Sequence, residues 1–212
     1  LKGKKVAVPF VSTAHYQLLA ALKHAGVNAK DVNVLNLRPP EIGAAWQRGD
    51  LDAAFIWDPV LTKIKGNGKV IADSTAIGKL GYPTFDGVDV NKQWAADNQA
   101  FMVALFKVLA KADADYRGNK AKWSVDSAQA KAVAKWTKAD VKDVPATMAL
   151  YTFPTAEEQL SAKWLGGGAG SGAAKALKDT STFLKEQGRI QEVKPDYSVF
   201  INTTFLQKAL GK

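Results

Sequence analysis

Six residues, Val11-Ser12-Thr13-Ala14-His15-Tyr16, bring two hydroxyls, an imidazole and a phenol together between an aliphatic run and a stretch with helical spacing. None of these groups has the permanent charge of a lysine or carboxylate, and the segment holds neither a glycine nor a catalytic signature. Their shared chemistry is hydrogen bonding. With a strand before them and a helix after them, they stand at a helix mouth, where unpaired N–H groups and the helix dipole favour an anion. A structural account fits the same residues. Ser12 or Thr13 is then the N-cap, and His15 and Tyr16 are half-buried helix residues. The segment taken alone leaves both open.

A second strand end, Ala53–Trp57, leads into Trp57-Asp58-Pro59. Trp57 is there either an apolar wall able to stack on a cation or a core residue, and Asp58 is placed to cap the following helix. In Tyr82-Pro83-Thr84-Phe85-Asp86, the Asp86 carboxylate beside aromatic residues either holds an ammonium group or turns the chain. Bond-breaking chemistry has little to work with. His24 falls near a helix end, and neither histidine belongs to a GxSxG elbow, a HExxH pair or a phosphate loop. The run Gly166–Gly172 lacks the Lys-Ser/Thr ending of a nucleotide cradle, and Glu157 and Glu158 are adjacent rather than facing.

The balance of 29 basic against 20 acidic residues gives a net charge of +9. Such a charge can serve phosphate binding, but only Arg38, Arg48, Arg117 and Arg189 are arginines, and the lysines are scattered in ones and twos. That pattern suits a solvated surface better than a nucleic-acid reader. Without cysteine there is no disulfide framework and no thiolate metal site, and no metal or cofactor is expected. No apolar run reaches the roughly 20 residues of a membrane span. The first residues, Leu1-Lys2-Gly3, lack both a methionine and a leader-like apolar stretch, so a processed or truncated chain is expected.

The elements that must position the candidate residues alternate over the first 90 positions. Strands are expected at Val6–Phe10, Val32–Leu37, Ala53–Trp57 and Val70–Asp73, and helices at Ala14–Ala25, Glu41–Gln47 and Asp58–Ile64, with Pro39-Pro40 opening the second helix. Loops follow at Lys65–Lys69 and Gly78–Gly87. This order predicts an α/β fold with a parallel, doubly covered sheet, whose ligands lie beyond the carboxyl ends of the strands. Beyond about Val90, helices dominate. A long amphipathic helix is expected with Trp94, Phe101, Leu105, Val108 and Leu109 on its apolar face. A second helix carries Ala130, Val133 and Ala134, a third lies near 143–151, and another follows the glycine-rich loop and ends at Gly188. The tail is ambiguous between extended chain and a short helix.

The stretches GKKVAVPFVSTAHYQLLAALKHAG, LNLRPPEIGAAWQRGDLDAAFIWDPV, GKVIADS, PTFD and TSTFLKEQGRI together resemble the periplasmic taurine-binding components of ABC importers, within the aliphatic-sulfonate, nitrate and taurine solute-binding family. The resemblance implies a type II periplasmic binding protein fold, with residues 3–86 as the parallel-sheet lobe, the family's second. Residues 87–212 would then be a mostly helical part completing the first lobe. It implies capture of taurine or a related small sulfonate and delivery to a membrane permease in the periplasm, with no bond made or broken. The ligand contacts it implies are Ser12, Thr13, His15, Tyr16, Trp57 and Asp86, with Asp86 and Trp57 meeting taurine's ammonium. Another alkanesulfonate or small anion is the first rival, and an enzyme like those of thiamine-precursor synthesis is the second. Relative to the family, the N-terminal part of the first lobe is expected to be absent. The apolar faces from Trp94 onward are then expected to be exposed or covered by another copy.

Overall fold

The computed structural model describes all residues, 1–212. Two compact units divide the chain: Leu1–Thr84 with Asp179–Glu192, and Phe85–Lys178 with Val193–Lys212.

In the first unit, β1 (Lys5–Val8) lies between β2 (Asn33–Asn36) and β3 (Ala53–Ala54) in a parallel sheet ordered β2-β1-β3. The register sets Val6 beside Val34 and Ala53, and Ala7 beside Leu35 and Ala54. Alternation along β1 sends successive side chains to opposite faces. Val6 and Val8 pack with Ala14, Leu18 and Leu22 of α1 (Thr13–His24), while Ala7 packs with Ile42 of α2 (Pro39–Gln47) and with Val60 and Ile64 of α3 (Val60–Lys65). Both faces of β1 are therefore covered, which is why it reads as a continuous apolar run after Lys5. From β1 the chain passes through α1 to one neighbour, then through α2 to the neighbour on the other side. That reversal of direction makes the carboxyl ends of β1 and β3 a topological switch point, the usual place for a ligand in such sheets.

Several elements differ from expectation. β1 ends at Val8 and β3 covers only Ala53–Ala54, although the Phe55 N–H still donates to the Ala7 carbonyl at 3.0 Å. Val70–Asp73 forms no strand. Val70 and Ile71 are exposed, because a β-branched pair becomes a strand only where a neighbouring strand offers pairing and a face to cover. Asp73 instead caps a helix that the sequence reading did not foresee, α4 (Ser74–Lys79), accepting the Ala76 N–H at 2.8 Å. Arg38 and Glu41 lock the start of α2: the Glu41 carboxylate accepts from the Arg38 N–H at 2.8 Å and from its guanidinium.

The second unit is helical. The expected single long helix is two, α5 (Lys92–Asp97) and α6 (Gln99–Asn119), broken at Asn98. Met102 is buried with Ala95 and with Phe205 of the C-terminal helix, while Phe101 and Val108 of the expected packing face are exposed. Helical spacing marks a face as apolar without saying what covers it. Next come α7 (Ala128–Thr137), α8 (Val144–Met148) and α9 (Ala156–Gln159), the last with a capping box between Thr155 and Glu158. The glycine-rich loop is a packing device. A Cβ on Gly172 would overlap the Lys163 carbonyl oxygen, and one on Gly166 would overlap that of Leu160. Gly172 opens α10 (Gly172–Glu186), whose last residues belong to the first unit, and the tail ends in α11 (Thr204–Ala209).

Candidate functional site

The turn from β1 into α1 is held by a chain of specific bonds. Val11 adopts φ 62°, a left-handed conformation that is strained for a β-branched residue. Its N–H donates to Nδ1 of His15 at 3.2 Å, which fixes Nδ1 as the unprotonated ring nitrogen. His15 is buried, stacked on Phe10 with ring centroids 4.4 Å apart and met edge-on by Phe183 at 5.3 Å. Burial in these apolar surroundings lowers its pKa from 6.5, so the neutral ring is favoured. Ser12 is the N-cap. Its hydroxyl donates to the Pro9 carbonyl at 2.6 Å and accepts the His15 N–H at 3.1 Å. Tyr16 lies against Tyr82 and Phe183, and its phenol is raised to about 12, first by burial and then by the nearby Asp179 carboxylate.

Three of the four expected contacts in this segment thus form the frame of the helix mouth. Thr13 is the exception. It lines a cavity of about 80 Å³ together with Ala14, Gln17, Trp57, Ser74 and Thr84. The cavity opens at the carboxyl ends of β1 and β3, at the switch point described above. Thr13 and Gln17 share it because residues four apart lie on one helix face, whereas His15 and Tyr16 point elsewhere. Trp57 is 41% exposed, so its ring is a wall of the cavity and not a core residue. Asp58 does act as a cap: its Oδ1 accepts from the N–H of Thr62 at 2.8 Å and from its hydroxyl at 2.7 Å. Asp86 is exposed, belongs to the second unit and is not among the residues lining this cavity.

The electrostatics of the mouth suit an anion. The His15 N–H is engaged by Ser12 and the Tyr16 N–H by the Ser12 carbonyl, leaving the Thr13 and Ala14 N–H groups without protein acceptors at the positive end of a 12-residue helix. The Thr13 hydroxyl stands beside them. A larger hollow of about 260 Å³, bordered by Trp46, Gln47, Lys63 and Asn67, lies at the carboxyl ends of α2 and α3. Helix carbonyls point outward there, and the Trp46 indole N–H is already donated to Asn67 Oδ1 at 2.7 Å, so it is the poorer anion seat.

Gln17, Ser74 and Thr84 were missed by sequence reasoning. Gln17 had a usable signal, its spacing of four from Thr13. Ser74 and Thr84 had none, since their approach depends on how the unexpected α4 and the segment after it return to the sheet.

Comparison with known proteins matches residues 2–138 to the model of the NMT1-like family. The chain belongs to this family. Among individual relatives, the taurine-binding periplasmic protein of Escherichia coli (strain K12) is 39% identical over 207 residues, 98% of this chain and 63% of that protein. The chain thus spans less than two thirds of that relative's length. The crystal structure of the periplasmic aliphatic sulphonate binding protein from Escherichia coli superposes with a TM-score of 0.66 at 22% identity, over 95% of this chain and 59% of that one. The alkanesulfonate-binding protein from Xanthomonas axonopodis pv. citri, bound to MOPS, gives 0.58 at 21% identity, over 91% and 60%. This NMT1-like chain therefore has the fold of the type II periplasmic binding proteins, with the parallel sheet read from its sequence. The relatives it matches are binding proteins.

Proposed function

We propose that this chain binds taurine or a related small sulfonate as the substrate-binding component of an ABC importer, working in the periplasm with a membrane permease and catalysing no reaction. The observation that carries the reading is the pair of free N–H groups of Thr13 and Ala14 beside the Thr13 hydroxyl, at the switch point of the sheet. A sulfonate is anionic throughout the physiological pH range. Backbone N–H donors at a helix mouth meet such a charge without a buried lysine. The small cavity suits a headgroup of a few heavy atoms, and the Trp57 ring gives it an apolar side. Ser12 and His15 contribute by fixing the turn that aims the N–H groups. The likeness to taurine- and sulfonate-binding proteins supports the choice of sulfonate over other small anions.

Isothermal titration of the chain with taurine, ethanesulfonate and acetate tests the reading. Heat of saturable binding with at least one sulfonate and none with acetate is the expected outcome. Binding of neither sulfonate would sink it.

A further inference from the structure

Gln17 is the most deeply buried polar side chain on the cavity wall, with 1% of its surface exposed. Its Nε2 donates to the Tyr82 carbonyl at 3.1 Å. Because a carbonyl only accepts, this bond fixes which end of the amide is nitrogen. Oε1 accepts no hydrogen bond from the protein. No fully enclosed side-chain oxygen or nitrogen is left unpaired, so Oε1 is the atom of Gln17 that reaches the cavity. The cavity therefore presents the Thr13 and Ala14 N–H donors on one side and, one turn further on along the same helix face, the Gln17 oxygen, which unlike the hydroxyls of Thr13, Ser74 and Thr84 can only accept.

A simple alkanesulfonate offers only acceptors and methylenes, and it would leave Oε1 unmet and desolvated. A buried polar group without a partner is costly, and that cost discriminates between ligands. Resting on the sulfonate reading above, we infer that Gln17 is a specificity-determining residue whose Oε1 accepts an N–H from the ligand, selecting aminosulfonates over sulfonates that lack the amine. The Tyr82 carbonyl holds the amide in the orientation that keeps Oε1 forward. The Trp57 ring lines the same cavity and gives a protonated amine an aromatic face as well.

The test is the ratio of taurine to ethanesulfonate affinity, measured by isothermal titration on the wild-type chain and on Gln17→Met and Gln17→Glu. Gln17→Met keeps the volume and removes the acceptor. Its ratio should fall about tenfold, the scale of a hydrogen bond to a charged group. Gln17→Glu keeps an oxygen and adds a negative charge, so its ratio should hold or rise, and this arm decides alone if urea melts show that the methionine variant does not fold. A ratio in Gln17→Met within twofold of wild type, or a fall in Gln17→Glu, overturns the inference. Equal wild-type affinity for both sulfonates overturns it while leaving the sulfonate reading intact, whereas no binding of either removes both.

Discussion

Lowering the pH should unlock the helix mouth through one residue. His15 is buried between Phe10 and Phe183, and its Nδ1 holds the strained Val11 turn by accepting an N–H. Protonation would place a charge in apolar surroundings and remove that acceptor, so the folded chain binds the proton less readily than the unfolded one. The His15 pKa is accordingly lowered from 6.5. For a group depressed on folding, the unfolded state carries more protons below its own pKa, and stability rises with pH. The His15 contribution is complete above about pH 6.5 and declines as the pH falls below it. One proton limits the slope to about 1.4 kcal/mol per pH unit. For a chain of this size that is a fall in Tm of roughly 3 to 5 °C per unit. The stabilising carboxylates with lowered pKa values, Glu41, Asp52, Asp140 and Asp196, act at lower pH, since their ordinary values lie near 4. The interval from pH 6.5 to 5 is therefore diagnostic. Urea melts across that interval, on the wild type and on His15→Asn, should show a decline in the former that is largely absent in the latter. Parallel slopes in the two proteins would refute the role of His15.

The cap and the glycines give further expectations. Ser12→Ala removes the acceptor for the His15 N–H and the donor to Pro9, and should cost about 1–2 kcal/mol in urea melts with the denaturant slope unchanged; a loss under a few tenths would contradict the capping geometry. Gly172→Ala drives a methyl into the Lys163 carbonyl oxygen and should destabilise the second unit by about 1–3 kcal/mol or more. Gly118→Ala, within α6 and facing open space, should instead stabilise by roughly 0.5–1 kcal/mol, and the same sign for both would show that close packing is not what requires Gly172.

How much of this was legible in advance depended on range. Val6, Ala7 and Val8 announced a doubly covered strand because Val6 and Val8 meet α1 on one face while Ala7 meets α2 and α3 on the other, a property that local sequence records. Val70 and Ile71 carried the same strand composition and stayed exposed, because pairing depends on a distant partner. The α6 face shows the same limit: Phe101 and Val108 have the spacing of a packing face, yet Met102 is the residue buried. At the site, the helix mouth was visible in the residues from Ser12 to Tyr16, but their division of labour was not. Whether a hydroxyl is free or engaged turns on the position of the Pro9 carbonyl, and whether an imidazole faces a ligand or a core turns on Phe183, more than 160 positions away.

The central claim is that a sulfonate sits on the amino end of α1. Backbone amide resonances report this directly in a titration of isotope-labelled chain with taurine and with ethanesulfonate. The account predicts saturable shifts in the Thr13 and Ala14 amides and the Trp57 indole, with amides around Trp46 and Lys63 unmoved. Binding that leaves Thr13 and Ala14 unperturbed, or that moves only the hollow between α2 and α3, would contradict it.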